Sequence, residues 1–168
     1  MVDLTKQFSK LYDDNVVKIY RFIYLKVESK QVAEDLTSQV FAKGWARFRA
    51  ITDIKNPTAY LYQIARTEIV DHLRVRTKFR MVSLDNVEVA DNKQNLAEKQ
   101  AINSDLEGVR KALKQLDEDE QNVLIMRYLD EQPFKTIALA LDKNEGAIRV
   151  MVHRALKKLK EGLGDVTK

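Results

Sequence analysis

Arg149, His153, Arg154, Lys157 and Lys160 are the side chains whose types and spacing best suit a chemistry, and that chemistry is the binding of a polyanion. A guanidinium can present two parallel donors to a base edge or a phosphate, whereas a lysine ammonium acts as a point charge on the phosphate backbone. Placed on a wheel at about 100° per residue, these residues share one side of a helix with Gly146 and Val150, while Ile148, Val152, Ala155 and Leu159 occupy another. One side is core and the other is basic. Asn144 suits the N-cap of this helix and Glu145 its first turn, where a negative charge meets the positive end of the helix dipole. Before it, Pro133 suits a first helical position, and Phe134, Ile137, Ala138 and Leu141 recur at helical spacing. Asp142 and Lys143 leave only a tight turn between the two helices. Two helices joined this way, with cations on the outer face of the second, match the geometry that lays a recognition helix in a major groove.

A second basic centre lies upstream. From Lys55 to Arg80 six bases face two acids, a net of +4, and from Glu145 to Lys160 five bases face one acid, again +4. The intervening Asp85 to Glu120 holds ten acids against five bases, a net of −5, which disfavours phosphate binding there. In the upstream centre Tyr60 and Tyr62 stand beside Gln63, Arg66 and Thr67. Exposed rings next to a cation are how proteins stack and hold unpaired bases, although core or rim packing of the two tyrosines explains them equally well.

Catalysis finds little support. His72 and His153 are the only histidines, they fall in different predicted domains, and no HExxH, CxxC or Asp-rich loop offers metal-ligand spacing. The five glycines are scattered, so no glycine-rich loop can cradle a nucleotide phosphate. The expectation is a non-enzyme with no cofactor and no metal.

The elements that position these centres follow from periodicity. With 168 residues, 45% of them hydrophobic, and a net charge of +4, the chain suits one globular domain or two small ones. It has no cysteine, no charged-then-apolar leader at its start and no apolar run long enough for a bilayer, which predicts a soluble cytoplasmic protein without membrane insertion. Phe8, Leu11, Tyr12, Val16, Ile19, Tyr20, Ile23 and Val27 predict a long amphipathic helix from Leu4 to about Val27. Ala33, Leu36, Val40, Gly44 and Phe48 line one face of a second helix, flanked by Phe41 and Trp45 as core aromatics, and leave Asp35 and Gln39 outward. After the loop Arg49 to Asn56, Asn56-Pro57 starts a third helix that runs to about Lys78. Apolar periodicity then fades from Met81 to Ser104, marking a polar linker of about 24 residues, a coil able to let two domains take many relative placements. Leu106, Val109, Leu113 and Leu116 open the second domain, and Asp117 with Glu120 forms a capping box before VLIMRYL. The fold class is therefore all-α: two small helical domains, the second ending in a helix-turn-helix.

The order AEDLTSQVFAKGW, NPTAYLYQIARTEIVDHLR and LDEDEQNVLIMRYLDEQPFKTIALALDKNEGAIRVMVHRALKKLK resembles a bacterial RNA polymerase sigma factor of the extracytoplasmic-function group of the sigma-70 family. The resemblance spans nearly the whole chain. It implies sigma region 2 over residues 1–80, a linker over 81–104 and sigma region 4 over 105–163. In such proteins region 2 grips the β′ clamp helices of core polymerase and opens the −10 element, while region 4 meets the β flap and reads the −35 element. Carried over by position, Asp35 and Gln39 would meet core polymerase. Arg49, Asn56, Tyr60, Tyr62, Arg66 and Thr67 would hold the opened −10 strand, and Arg149, Val150, His153 and Arg154 would face the −35 bases. Lys157 and Lys160 would contact phosphate. Promoter DNA, core polymerase and an anti-sigma protein are the implied partners. Thr67 stands where the family commonly has asparagine, and Val150-Met151 where it often has a polar pair, so the promoter sequence does not transfer. Asp117 replaces a usual proline, a mild change given its capping role. The rival is a freestanding dimeric regulator, which would protect a near-palindromic duplex without core enzyme.

Overall fold

The computed structural model describes residues 3–51, 53–82 and 104–166; most of the predicted linker lies outside them. All elements among the described residues are helical. Helix α1, Leu4–Val27, starts on the Asp3 carboxylate, which accepts from the Thr5 and Lys6 backbone N–H groups. It ends at Glu28 in the left-handed region, φ 60°. Helix α2, Lys30–Ala50, is capped by Ser29, whose hydroxyl accepts from the Val32 N–H. Helix α3 spans Pro57–Val82, and the Asn56 side-chain oxygen accepts from the Ala59 N–H at 3.0 Å, as the Asn-Pro pair predicts.

These three helices pack on one another around Ile19, Phe22, Ile23, Val40, Leu61 and Ala65, all essentially without solvent exposure. Gly44 permits the close approach of α2 to α3. A Cβ there would stand 2.9 Å from Leu61 Cδ2. Phe8 contacts Phe41, Trp45 and Phe48, so the aromatics predicted to be core do pack together.

The second unit contains α4 (Ser104–Leu113), α5 (Glu118–Leu124), α6 (Phe134–Leu141) and α7 (Glu145–Val166). Asp117 and Glu120 form the predicted capping box: the Glu120 N–H reaches Asp117 at 2.8 Å and the Asp117 N–H reaches Glu120 at 3.1 Å. Helix α5 runs on into a π-helical turn, Ile125–Leu129, closed by the Asp130 N–H donating to the Ile125 carbonyl. The wider turn is followed at once by Glu131 in the left-handed region, φ 53°, which reverses the chain and leaves the Asp130 side chain fully buried. Pro133 stands one place earlier than expected. It is the extended residue preceding α6, and its carbonyl accepts from the Ile137 N–H. Asp142, φ 56°, ends α6, and Asn144 caps α7 by accepting from the Ala147 N–H at 2.7 Å. The helix-turn-helix therefore has the limits that its proline and asparagine predict to within one residue.

The two units do not stand apart, contrary to the many placements expected of them. Helix α3 packs on α6, and the π-helical turn rests on α1. The reason is a set of polar anchors that no single helix reveals.

Candidate nucleic-acid interface

On α7 the two faces separate, with Leu159 alone of the expected core residues only half-buried. Ile148 and Ala155 are fully buried and Val152 nearly so, whereas Arg149, Val150, His153, Arg154, Lys157 and Lys160 are all exposed. Lys158 leaves this group: its ammonium reaches the Glu120 carboxylate at 3.0 Å, tying α7 to the capping box of α5. Phe134 at the start of α6 carries two guanidinium groups, Arg127 at 4.1 Å and Arg149 at 5.0 Å from its centroid. The ring braces Arg149 from beneath without burying it. Such an array can present cations and hydrogen-bond donors to the floor and walls of a duplex groove.

Asp35 and Gln39 are both exposed on α2, as expected, and stand on a different element from either basic centre. At the α2–α3 connection, Phe48, Arg49, Ile51, Ile54 and Pro57 wall an open cleft of about 460 Å³ together with the start of α1. Arg49 is exposed there, its guanidinium 5.4 Å from the Trp45 ring centroid. A second shallow groove is lined by Lys43, Tyr60, Gln63, Thr67 and Glu68. Here Lys43 pairs with the buried Glu68 carboxylate, and this contact raises the lysine pKa. Tyr60 is half-buried, and the Thr67 hydroxyl donates to the Gln63 carbonyl at 3.1 Å.

Tyr62 corrects the sequence reading. The tyrosine expected as a stacking platform is fully buried, its ring edge-on to Phe22 at 5.2 Å and its hydroxyl donating to Asp130 at 2.6 Å. Helix α3 is covered on two sides, by α1 and α2 on one and by the second unit on the other, so a residue outside its first apolar stripe still finds a core. Asn56 and Arg66 are also engaged. Asn56 donates to the Thr136 hydroxyl at 3.1 Å, and Arg66 donates to the Ala140 carbonyl at 3.1 Å with Asp119 3.9 Å away. The structure thus brings Tyr60 and Thr67 to one groove and Arg49 to another, and turns Asn56, Tyr62 and Arg66 toward the second unit.

The anchor of that contact is Asp130, a residue the sequence reading did not single out. Its carboxylate accepts from Arg21 Nη2 at 2.6 Å and Nε at 3.1 Å on one oxygen and from Tyr62 on the other. Arg21 also donates to the Leu129 carbonyl at 2.7 Å. Burial pushes the Asp130 carboxyl up, with Tyr62 and Arg21 pulling against it, and burial followed by the Asp130 charge raises the Tyr62 hydroxyl. Arg110, also buried, crosses the boundary at the other end: it lies over the Tyr24 ring at 4.6 Å and donates to the Tyr24 carbonyl at 3.3 Å. The sole local hint of either anchor is a charge set among apolar positions, as with Arg110 between Val109 and Leu113.

Fold and site together define an all-helical, two-unit protein whose second unit presents a helix-turn-helix with an exposed basic face. Residues 11–79 match the family model for Sigma-70 region 2, and residues 106–159 match that for Sigma-70, region 4. The extracytoplasmic-function RNA polymerase sigma factor BldN of Streptomyces coelicolor is 32% identical over 94% of this chain, which spans 61% of the relative's length. The corresponding factor SigX of Bacillus subtilis is 26% identical over 94% of this chain and 84% of its own. Among solved structures, the sigma factor RpoE from Bartonella quintana, in complex with the anti-sigma factor NepR, has the same fold over 95% of this chain and 98% of its own, with a TM-score of 0.72 at 23% identity. The chain belongs to the sigma-70 family and, within it, to the extracytoplasmic-function group of RNA polymerase sigma factors. Sigma factors are non-catalytic regulators of transcription initiation. Among the described residues no helix is long and apolar enough to cross a membrane.

Proposed function

We propose that this chain directs core RNA polymerase to a set of promoters in the cytoplasm and has no activity of its own, reading an upstream duplex element with α7 and capturing the opened −10 strand with α3 and the loop before it. The carrying observation is the shared exposure of Arg149, Val150, His153, Arg154, Lys157 and Lys160 on a helix whose other side is core. Arg149, Val150, His153 and Arg154 face the bases of the −35 element, and Lys157 and Lys160 neutralise its phosphates. Arg49, Asn56, Tyr60, Arg66 and Thr67 act on the unpaired strand, with the cleft beside Arg49 large enough for an extruded base. Tyr62 takes part by setting the position of α3, since its ring is core. Asp35 and Gln39 contact the β′ clamp helices, the second unit meets the β flap, and an anti-sigma protein sequesters the chain. The resemblance to relatives named as RNA polymerase sigma factors supports this assignment.

Run-off transcription on a genomic fragment library, with purified core polymerase in the presence and absence of the chain, tests the proposal. New start sites that require both components are the expected result. Duplex binding that neither needs nor changes with core enzyme would overturn it in favour of a freestanding regulator.

A further inference from the structure

Among the described residues Arg149 makes no ion pair and no hydrogen bond through its side chain, and its guanidinium carbon lies 5.0 Å from the Phe134 ring centroid. The same ring carries Arg127 at 4.1 Å, and Arg127 donates to the Gln132 carbonyl at 3.1 Å. Gln132 is itself buried, and its backbone N–H donates to the Met126 carbonyl at 2.8 Å. Phe134 opens α6 and packs, half-buried, against the core. The ring and its first cation are thus part of the folded frame, and Arg149 meets that frame from the outer face of α7. Arg154 shares the outer face but, among the described residues, lies over no ring.

The chemistry of this contact suits base reading. A carboxylate partner would hold the guanidinium firmly but would take up the N–H groups that a base edge needs. A ring face attracts the charge and leaves the in-plane donors available. A long side chain on an open helix face otherwise spreads over many rotamers, and ordering it on contact costs affinity for every sequence alike. Setting the guanidinium in advance favours the one base pair whose acceptors match its fork. Resting on the function proposed above, we propose that Phe134 is a positioning residue for promoter specificity. It holds the Arg149 guanidinium in one place and orientation, so that the base pair read by Arg149 is discriminated through a residue of the preceding helix that need not touch DNA.

The test uses core polymerase carrying the full chain, bound to promoter fragments recovered by run-off transcription, with the upstream element altered one base pair at a time. Phe134→Leu and Phe134→Met remove the ring and keep apolar bulk, Phe134→Tyr keeps the ring, and all are checked for native helicity. Discrimination should fall about three- to fivefold in the ring-free variants at the base pair most sensitive to Arg149→Ala, and change by less than about twofold where Arg154→Ala acts. Phe134→Tyr should restore it, and Phe134→Leu combined with Arg149→Ala should lose no more than Arg149→Ala alone. A loss spread evenly over all positions, or one that adds to that of Arg149→Ala, would overturn the positioning role. A further measurement needs no variant: in the unaltered chain, side-chain proton resonances of Arg149 should lie upfield of those of Arg154 because they sit over a ring, and coincident shifts overturn the stacking. Arg149→Ala with unchanged preference at every position, or no core-dependent promoter at all, overturns base reading and the positioning with it. A loss with Arg149→Ala that the ring-free variants do not share overturns only the positioning.

Discussion

Helices α3 and α7 both carry a basic surface, yet they differ in what lies against it. On α7 one face packs and the other meets solvent, so every cation expected on the outer face is exposed, Arg149 resting on the Phe134 ring. On α3 a second body covers what a single-helix reading leaves outward, and Tyr62, Arg66 and Asn56 find partners in the second unit. A helix with one neighbour obeys its own wheel. A helix between two neighbours does not, because a polar residue on its far side can be buried if a partner satisfies it.

The sharpest way to break this contrast is to remove the charge that anchors the covered helix. Arg21→Met leaves Asp130 buried without its cation, and breaking such a pair costs about 3 to 5 kcal/mol. Denaturant unfolding should show the loss, along with separate transitions for the two units where the unaltered chain gives one. A single transition of unchanged midpoint would mean that the boundary contributes little to stability.

Changes on α7 should do the opposite, altering recognition and sparing the fold. Arg149→Ala is expected to lower discrimination among upstream sequences by about 1 to 3 kcal/mol in duplex titrations, with thermal stability changed by less than about 0.5 kcal/mol. Lys157→Ala should weaken all sequences alike and reduce the salt slope by about one. Arg149→Ala with unchanged sequence preference would place Arg149 among ordinary solvated charges.

Lys26 sharpens the comparison through pH. It borders a crevice of about 300 Å³ between the units, where burial lowers its pKa from 10.5 to about 8, with the Glu118 charge opposing and Arg66 assisting. In the native state the lysine binds its proton more weakly than in the unfolded chain, so its contribution to stability rises between about pH 8 and pH 10.5 and is smallest below that window. Lys26→Met should flatten stability over this range, measured as denaturation midpoint against pH, and a profile unchanged by the substitution would refute the burial effect.

The smallest effect is expected at the turn between α6 and α7. Asp142 adopts φ 56°, a conformation that glycine takes at lower cost, so Asp142→Gly should stabilise the second unit by about 0.5 to 1 kcal/mol without altering upstream recognition. A loss of stability would show that the aspartate side chain contributes more than its backbone strain costs.

Sequence alone determined the helices, because apolar spacing, Asn-Pro at residues 56 and 57, the Asp117–Glu120 box and Asn144 are local signals that a helix resolves within its own turns. It also determined the basic face of α7, since a helix against one core exposes whatever its wheel turns away. Tertiary structure decided the rest. The bond from Arg21 to Asp130 joins residues 109 apart in the chain, the π-helical turn aims that carboxylate inward, and Tyr62 reaches it from a third element. No local periodicity encodes such a meeting, because burial of a charge depends on which distant group arrives to pair with it.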